Sequence, residues 1–307
     1  MKLSSIFIFI IISTLSVQGY HLIDSTTSKK DSLYNLEKPH WKKNFSTGVN
    51  LNQASFSQNW KAGGSNSFAA AWFLKQHSEL ENLGWRFASD VDVQLGFIRN
   101  KSNPFRKSVD RIYYEFKAGY RLSQKWDFYG STNFQSQFLS GFKYDFKRKD
   151  GSVIDSLISS TFSPAYLTTS MGFEVHPNKE YYTRFGIGTL RQTFVLDRRI
   201  SDAGLYGLAK PGDRVRNQFV LQFLINMNKD IMENVNLQAR YTGQYDYFKI
   251  EDPNSYVHRI DATVTMKVNK YLNANLQTIL FRDRDQDIKW QFSQAISLGL
   301  VYRLDNY

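Results

Sequence analysis

The residues of this chain whose types could do chemistry are five histidines, a set of alternating aspartates and two groups of regularly spaced charges. A Ser–His–Asn hydrolase needs an imidazole bonded to a hydroxyl nucleophile and oriented by a third group. His21 and His40 lie in a polar N-terminal stretch, and His77 and His176 near the lower ends of apolar segments. Only His258, just after Asn254, Ser255 and Tyr256, has a suitable height and orientation. No motif sets a serine beside it, and a lone histidine at an interface is usually an amphipathic surface residue, so no enzyme is expected. Asp283, Asp285 and Asp287 have a spacing that can present hard oxygens to Ca²⁺. Arg282, Arg284 and Lys289 interleave with them, which favours a neutralised loop over a metal site. Gly186 and Gly188 precede no helix and form no phosphate loop; they are better read as relieving crowding in a wall of strands. Cysteine is absent, which removes disulfide frameworks, lipoprotein anchors and Cys/His metal centres, and no cofactor is expected.

The charges are more informative. Arg86, Asp90 and Asp92 recur at even spacing, as do Glu115, Lys117 and Arg121, and each set therefore shares one face of a strand. The opposite face of the first strand carries Trp85, Phe87, Val91, Val93, Leu95 and Phe97. The period of two recurs about twelve times, up to the final segment Ile288 to Leu304, and no helix-period segment covers the apolar faces. One apolar and one charged face per strand require two different surroundings. A single antiparallel transmembrane β-barrel of about 12 strands supplies both and pairs every backbone group. Connections alternate in length: Ser123–Lys125, Pro177–Glu180 and Asn269–Lys270 are tight, whereas Asn100–Ser108, Gly141–Ser160 and Leu196–Arg214 are long and polar. Short periplasmic turns and long outer loops give this order.

The first 19 residues read as a signal peptide: Lys2, the apolar run Ile6–Ile12, then small residues near Gly19. Residues 20–43 read as a flexible periplasmic lead-in and 44–307 as the barrel. Aromatic residues are 16% of the chain, with 24 Phe and 18 Tyr, while mean hydropathy is −0.44. A helical membrane protein would be far more apolar. The net charge of +11 would suit nucleic acid in a cytosolic protein; export makes solvated loops facing an anionic membrane surface the better reading, and no nucleic acid is expected.

Several motifs bear on kinship. Leu51-Asn52-Gln53-Ala54-Ser55-Phe56-Ser57-Gln58-Asn59-Trp60-Lys61-Ala62-Gly63-Gly64 is followed by Ser163-Pro164-Ala165-Tyr166-Leu167, Leu205-Tyr206-Gly207-Leu208 and Met266-Lys267-Val268-Asn269-Lys270-Tyr271-Leu272. Together they resemble a family of Bacteroidota proteins with a domain of unknown function that are expected to be outer-membrane β-barrels. The resemblance implies a barrel and a place in the cell outer membrane, and it brings no catalytic residue or substrate.

Two readings of different class follow. The first is a small-solute channel or binding barrel. The alternative is a structural or lipopolysaccharide-organising envelope barrel with a closed lumen; a lipid hydrolase is a third, weaker reading. Arg86, Asp90 and Asp92 are expected to pair across neighbouring strands with Glu115, Lys117 and Arg121 and to narrow the lumen. Asn59, Trp60, Gly63 and Gly64 are expected to shape the first outer loop, with Trp60 anchoring it at the interface. Lys147, Arg148 and Lys149 are candidates for contacts to lipid phosphates. The expected partners are outer-membrane lipids including lipopolysaccharide, and the barrel-assembly machinery.

Overall fold

The computed structural model describes residues 41–55, 66–100, 104–147, 151–249, 252 and 255–306. The signal peptide, nearly all of the lead-in, His21, His40 and the Asn59-Trp60-Gly63-Gly64 motif lie outside them. The strands are β1 (Lys42–Ala54), β2 (Ser67–Asn82), β3 (Trp85–Asn100), β4 (Arg106–Arg121), β5 (Trp126–Ser136), β6 (Gly141–Lys147), β7 (Val153–Ser159), β8 (Ala165–Val175), β9 (Tyr181–Phe194), β10 (Val215–Met232), β11 (Val235–Asp246), β12 (Val257–Lys267), β13 (Leu272–Asp283) and β14 (Asp287–Asn306).

Twelve of these close into an antiparallel barrel in the order β1-β14-β13-β12-β11-β10-β9-β8-β5-β4-β3-β2. Closure comes from β1 pairing with β14, with Val49 opposite Leu300 and Phe45 opposite Leu304. Closing the sheet leaves no unpaired edge in the wall. Large apolar side chains such as Trp72, Trp85, Tyr114, Phe116, Phe128, Phe185, Trp290 and Leu298 are exposed on the outer surface. Glu115, Lys117, Asp127, Glu174 and Arg184 are buried inside. This is the reverse of a water-soluble protein, and the alternation along each strand produces it. Among the described residues no helix is long and apolar enough to cross a membrane.

The wall has the expected twelve strands, but the long connections hold more structure than their polarity suggested. Residues 141–159 form a separate two-stranded hairpin, β6–β7. The link after β9 contains a four-residue helical turn, α1 (Arg198–Ser201), N-capped by Asp197. Val195, Ile200 and Leu208 form a small apolar core there, against which Leu157 of β7 packs. These apolar residues are too few and too irregularly spaced for a period to show in the sequence. The connection between β10 and β11 is among the tight ones, because β10 continues to Met232 and leaves only Glu233 and Asn234 to turn.

A bulge in β9 shifts its pairing with both neighbours, between Gly186 and Gly188 on the β8 side and between Thr189 and Gly186 on the β10 side. Arg184 and Gly186 face the lumen below it, and Thr189 and Arg191 above it. A Cβ on Gly186 would sit 2.4 Å from Ser170 Oγ and 2.8 Å from Thr189 Oγ1. A side chain there would force Ser170 or Thr189 to move, so Gly186 relieves crowding inside the wall, whereas Gly188 is exposed on the outer face beside Met171.

Candidate functional site in the lumen

Strand alternation delivers a set of long charged side chains to one side of the barrel interior. β4 contributes Tyr113, Glu115 and Lys117, β5 Asp127 and Tyr129, β8 Ser170 and Glu174, and β9 Tyr182 and Arg184. Glu174 is fully buried and accepts hydrogen bonds from Lys117 Nζ and Arg184 Nε, both at 2.5 Å, and lies 2.7 Å from His176 Nε2. The other edge of Arg184 donates to Glu115, whose second oxygen accepts from the Tyr113 hydroxyl at 2.6 Å. Nearer the short turns, Arg86 Nη1 donates to Asp127 at 2.7 Å, and Arg86 Nε donates to Glu81 at 2.7 Å. The result is two groups of charge-assisted bonds spanning β2 to β9, with His176 Nε2 between them, 2.7 Å from Glu174 and 3.4 Å from Asp127. Burying so many charges is costly, and the arrangement holds because each carboxylate meets cationic donors and each cation a carboxylate.

All six charges expected to narrow the lumen do lie on its face, but their pairing differs from the expectation. The register sets Asp90 opposite Glu115, two like charges, while Arg86 faces Gly119 and Lys117 faces Ala88. Asp90 instead meets His77 of β2 at 2.7 Å, Asp92 lies 3.6 Å from Arg111, and Arg121 donates to Glu81 at 3.1 Å. Lys117 and Glu115 reach over β5 to β8 and β9. Barrel curvature turns inward side chains toward one another, so long side chains meet partners two or three strands away. Glu174 and Arg184 were not among the sequence candidates, and His176, considered there only as a possible catalytic histidine, joins them through Glu174. The even spacing of Thr168, Ser170 and Glu174, and of Tyr182 and Arg184, was a readable signal, whereas Arg191 lies beyond the β9 bulge, which reverses the parity.

Asp127, Glu174 and His176 bring three ligand atoms within 4.8 Å of one another. The donor set would suit a divalent cation. Arg86, Lys117 and Arg184 already supply the positive charge at these oxygens, so the cluster is a node of the ion network.

Toward the long loops, the β13–β14 turn leans across the barrel mouth. Arg191 of β9 donates to Asp283 at 2.9 Å, Arg216 of β10 pairs with Asp285, and Gln286 donates to the Tyr166 hydroxyl of β8 at 3.0 Å. Asp283 and Asp285 are thus neutralised by arginines of β9 and β10 rather than by their sequence neighbours, whereas Asp287 accepts the Lys289 backbone N–H and Arg284 pairs with Asp252. Below this turn lies a cavity of about 370 Å³, lined from β3, β4, β5 and β8 on one side and from β12, β13 and β14 on the other. On β14 the inward residues Gln291, Ser293 and Ala295 are exposed within the lumen. The ion network thus fills one wall toward the short turns, and the cavity toward the long loops borders both walls.

His258 sits on the outer surface. Its Nδ1 lies 2.9 Å from the Tyr241 hydroxyl, and its ring stacks on Trp290 at 5.8 Å, with Tyr245 and Tyr256 edge-on. Among the described residues no serine hydroxyl bonds to it. Lys147 is exposed at the end of β6, and Arg148 and Lys149 lie outside the described residues.

Among solved structures the chain is similar to the NanC porin, with 8% identity, 84% of this chain and 98% of that one covered, and a TM-score of 0.38. It is similar also to the COG4313 outer membrane channel from Pseudomonas putida F1, with 7% identity, 87% and 95% covered and a TM-score of 0.38. The KdgM porin aligns at 8% identity, with 84% and 98% covered and a TM-score of 0.30. No curated protein sequence matches. Residues 51–142, from the end of β1 into the β6–β7 hairpin, match the family model described as "Protein of unknown function (DUF3078)".

Proposed function

We propose that this chain is an outer-membrane β-barrel whose off-centre lumen passes or holds small polar solutes. The membrane location is supported by the outward belt of aromatic and aliphatic side chains, each costing ~25 cal/mol per Å² if left in water. The observation that carries the functional reading is the unequal filling of the lumen: the ion network packs against β4, β5, β8 and β9, while small inward side chains on β14 border a polar cavity. Twelve strands lie between the filled interiors of eight-stranded barrels and the aqueous channels of sixteen. Filling one wall leaves a narrow passage along the other. The test is conductance in a planar bilayer, using protein that fractionates with outer membranes and migrates differently before and after boiling. Small discrete current steps are expected, and a silent barrel of proven fold would overturn the passage.

The tied β13–β14 turn favours a second reading, a closed barrel that organises lipopolysaccharide through its basic outer loops. Changing Lys147, Arg148 and Lys149 together to Gln tests it. Lipopolysaccharide co-purification that falls at low salt and is unaffected at high salt supports phosphate contacts; equal co-purification of variant and wild type at both opposes them.

A further inference from the structure

We propose that the lumen cavity is a seat for a small carboxylate-bearing solute held between Arg111 and Arg259, an inference that rests on the solute-lumen reading above and specifies its ligand. β4 and β12 stand six positions apart in the twelve-strand circuit. Their arginines therefore approach the same cavity from opposite walls. Each guanidinium has five N–H donors. Arg259 spends two on Asp261, at 2.7 Å each, and lies over the Phe281 ring. Arg111 is held more loosely: its nearest carboxylate, Asp92, is 3.6 Å away, its guanidinium lies over the Tyr113 ring, and its buried Nε has no acceptor. Their side chains stay 24% and 25% exposed.

The one carboxylate in the lining offers nothing to compete. Asp110 is enclosed by Lys107 Nζ at 3.1 Å and by the backbone N–H groups of Phe138 and Leu139 at 2.9 and 2.8 Å. Asp92 and Asp261 are not part of the lining. The cavity is thus lined by two arginines and by no carboxylate free of partners, and the guanidinium donors that Asp261 does not occupy match a carboxylate in geometry and charge. Gln94, Gln135, Gln277 and Ser293 add amide and hydroxyl groups for the uncharged polar part of such a solute. The space equals about a dozen waters at ~30 Å³ each, which fits a small hydroxy acid.

The test uses the purified full-length barrel in detergent and equilibrium dialysis with gluconate, with sorbitol as the uncharged probe of similar size. Wild type is expected to retain gluconate and not sorbitol. The R111Q/R259Q double variant should bind gluconate at least ~10-fold more weakly, and R111K/R259K, which keeps the charge but not the fork, should fall between them. Asp92→Asn removes the carboxylate nearest Arg111 and should tighten binding. Equal binding of both probes, no gluconate binding by wild type, or unchanged binding in a folded R111Q/R259Q barrel would overturn the seat. If that variant does not fold, unchanged affinity in D92N overturns it instead. Conductance separates the two claims. A barrel that conducts without binding gluconate keeps the passage and loses the seat, whereas one that binds without conducting does the reverse.

Discussion

The two walls of the barrel interior obey the same alternation and end in opposite states. On β4, β5, β8 and β9 the inward residues include long charged side chains that bond to one another, and Glu115, Lys117 and Glu174 are 4%, 6% and 0% exposed. On β14, next to β1, the inward residues Gln291, Ser293 and Ala295 are small or neutral and stay exposed. A strand pattern of apolar outside and polar inside is satisfied equally by both. What separates them is side-chain length and complementarity of charge: one wall can bond to itself across the lumen, and the other has too little side chain to reach. The first wall gives rigidity and the second leaves room.

The largest expected effect comes from breaking the filled wall at its node. Glu174→Ala leaves Lys117 and Arg184 without their shared carboxylate, and unfolding in detergent should show a loss of about 3–5 kcal/mol. A change below about 1 kcal/mol would mean that water or neighbouring carboxylates already screen the pair, and the contrast between the walls would collapse.

Overfilling gives the next test. Gly186→Val on the filled wall forces a side chain into Ser170 and Thr189 and should cost about 1–3 kcal/mol, read as a lower yield of heat-modifiable barrel. Ser293→Leu on the open wall should leave stability within about 0.5 kcal/mol, because it enters existing space. It should, however, reduce single-channel current. Equal losses of stability at the two positions would show that the walls are packed alike.

The smallest effect is expected outside the wall altogether. Asp197 caps α1 and is bonded to Arg199, which lowers its carboxyl from the usual carboxylate range to about 2. Its contribution is therefore present above the ordinary aspartate range and is lost as pH falls through about 2. Asp197→Ala should cost roughly 0.5 kcal/mol locally, at the low end for a helix N-cap. Faster proteolysis of the β9–β10 link, with barrel migration unchanged, is the expected readout. Altered migration would tie this loop to the wall.

The residues alone determined the barrel. Alternation in Trp85–Phe97 and its repeats, with loop lengths in alternation, specifies which face of each strand is apolar and that the strands run antiparallel, because a two-residue period is a local property of the backbone. Even the facing of Arg86, Asp90, Asp92, Glu115, Lys117 and Arg121 into the lumen follows from it. Which charges meet was decided only by the closed structure. Register opposed Asp90 to Glu115, the β9 bulge reversed the parity that would have located Arg191, and curvature brought Glu115 to Arg184 and Asp283 to Arg191 across the interior. Pairing across a lumen depends on distances around a closed ring, and no local period encodes them.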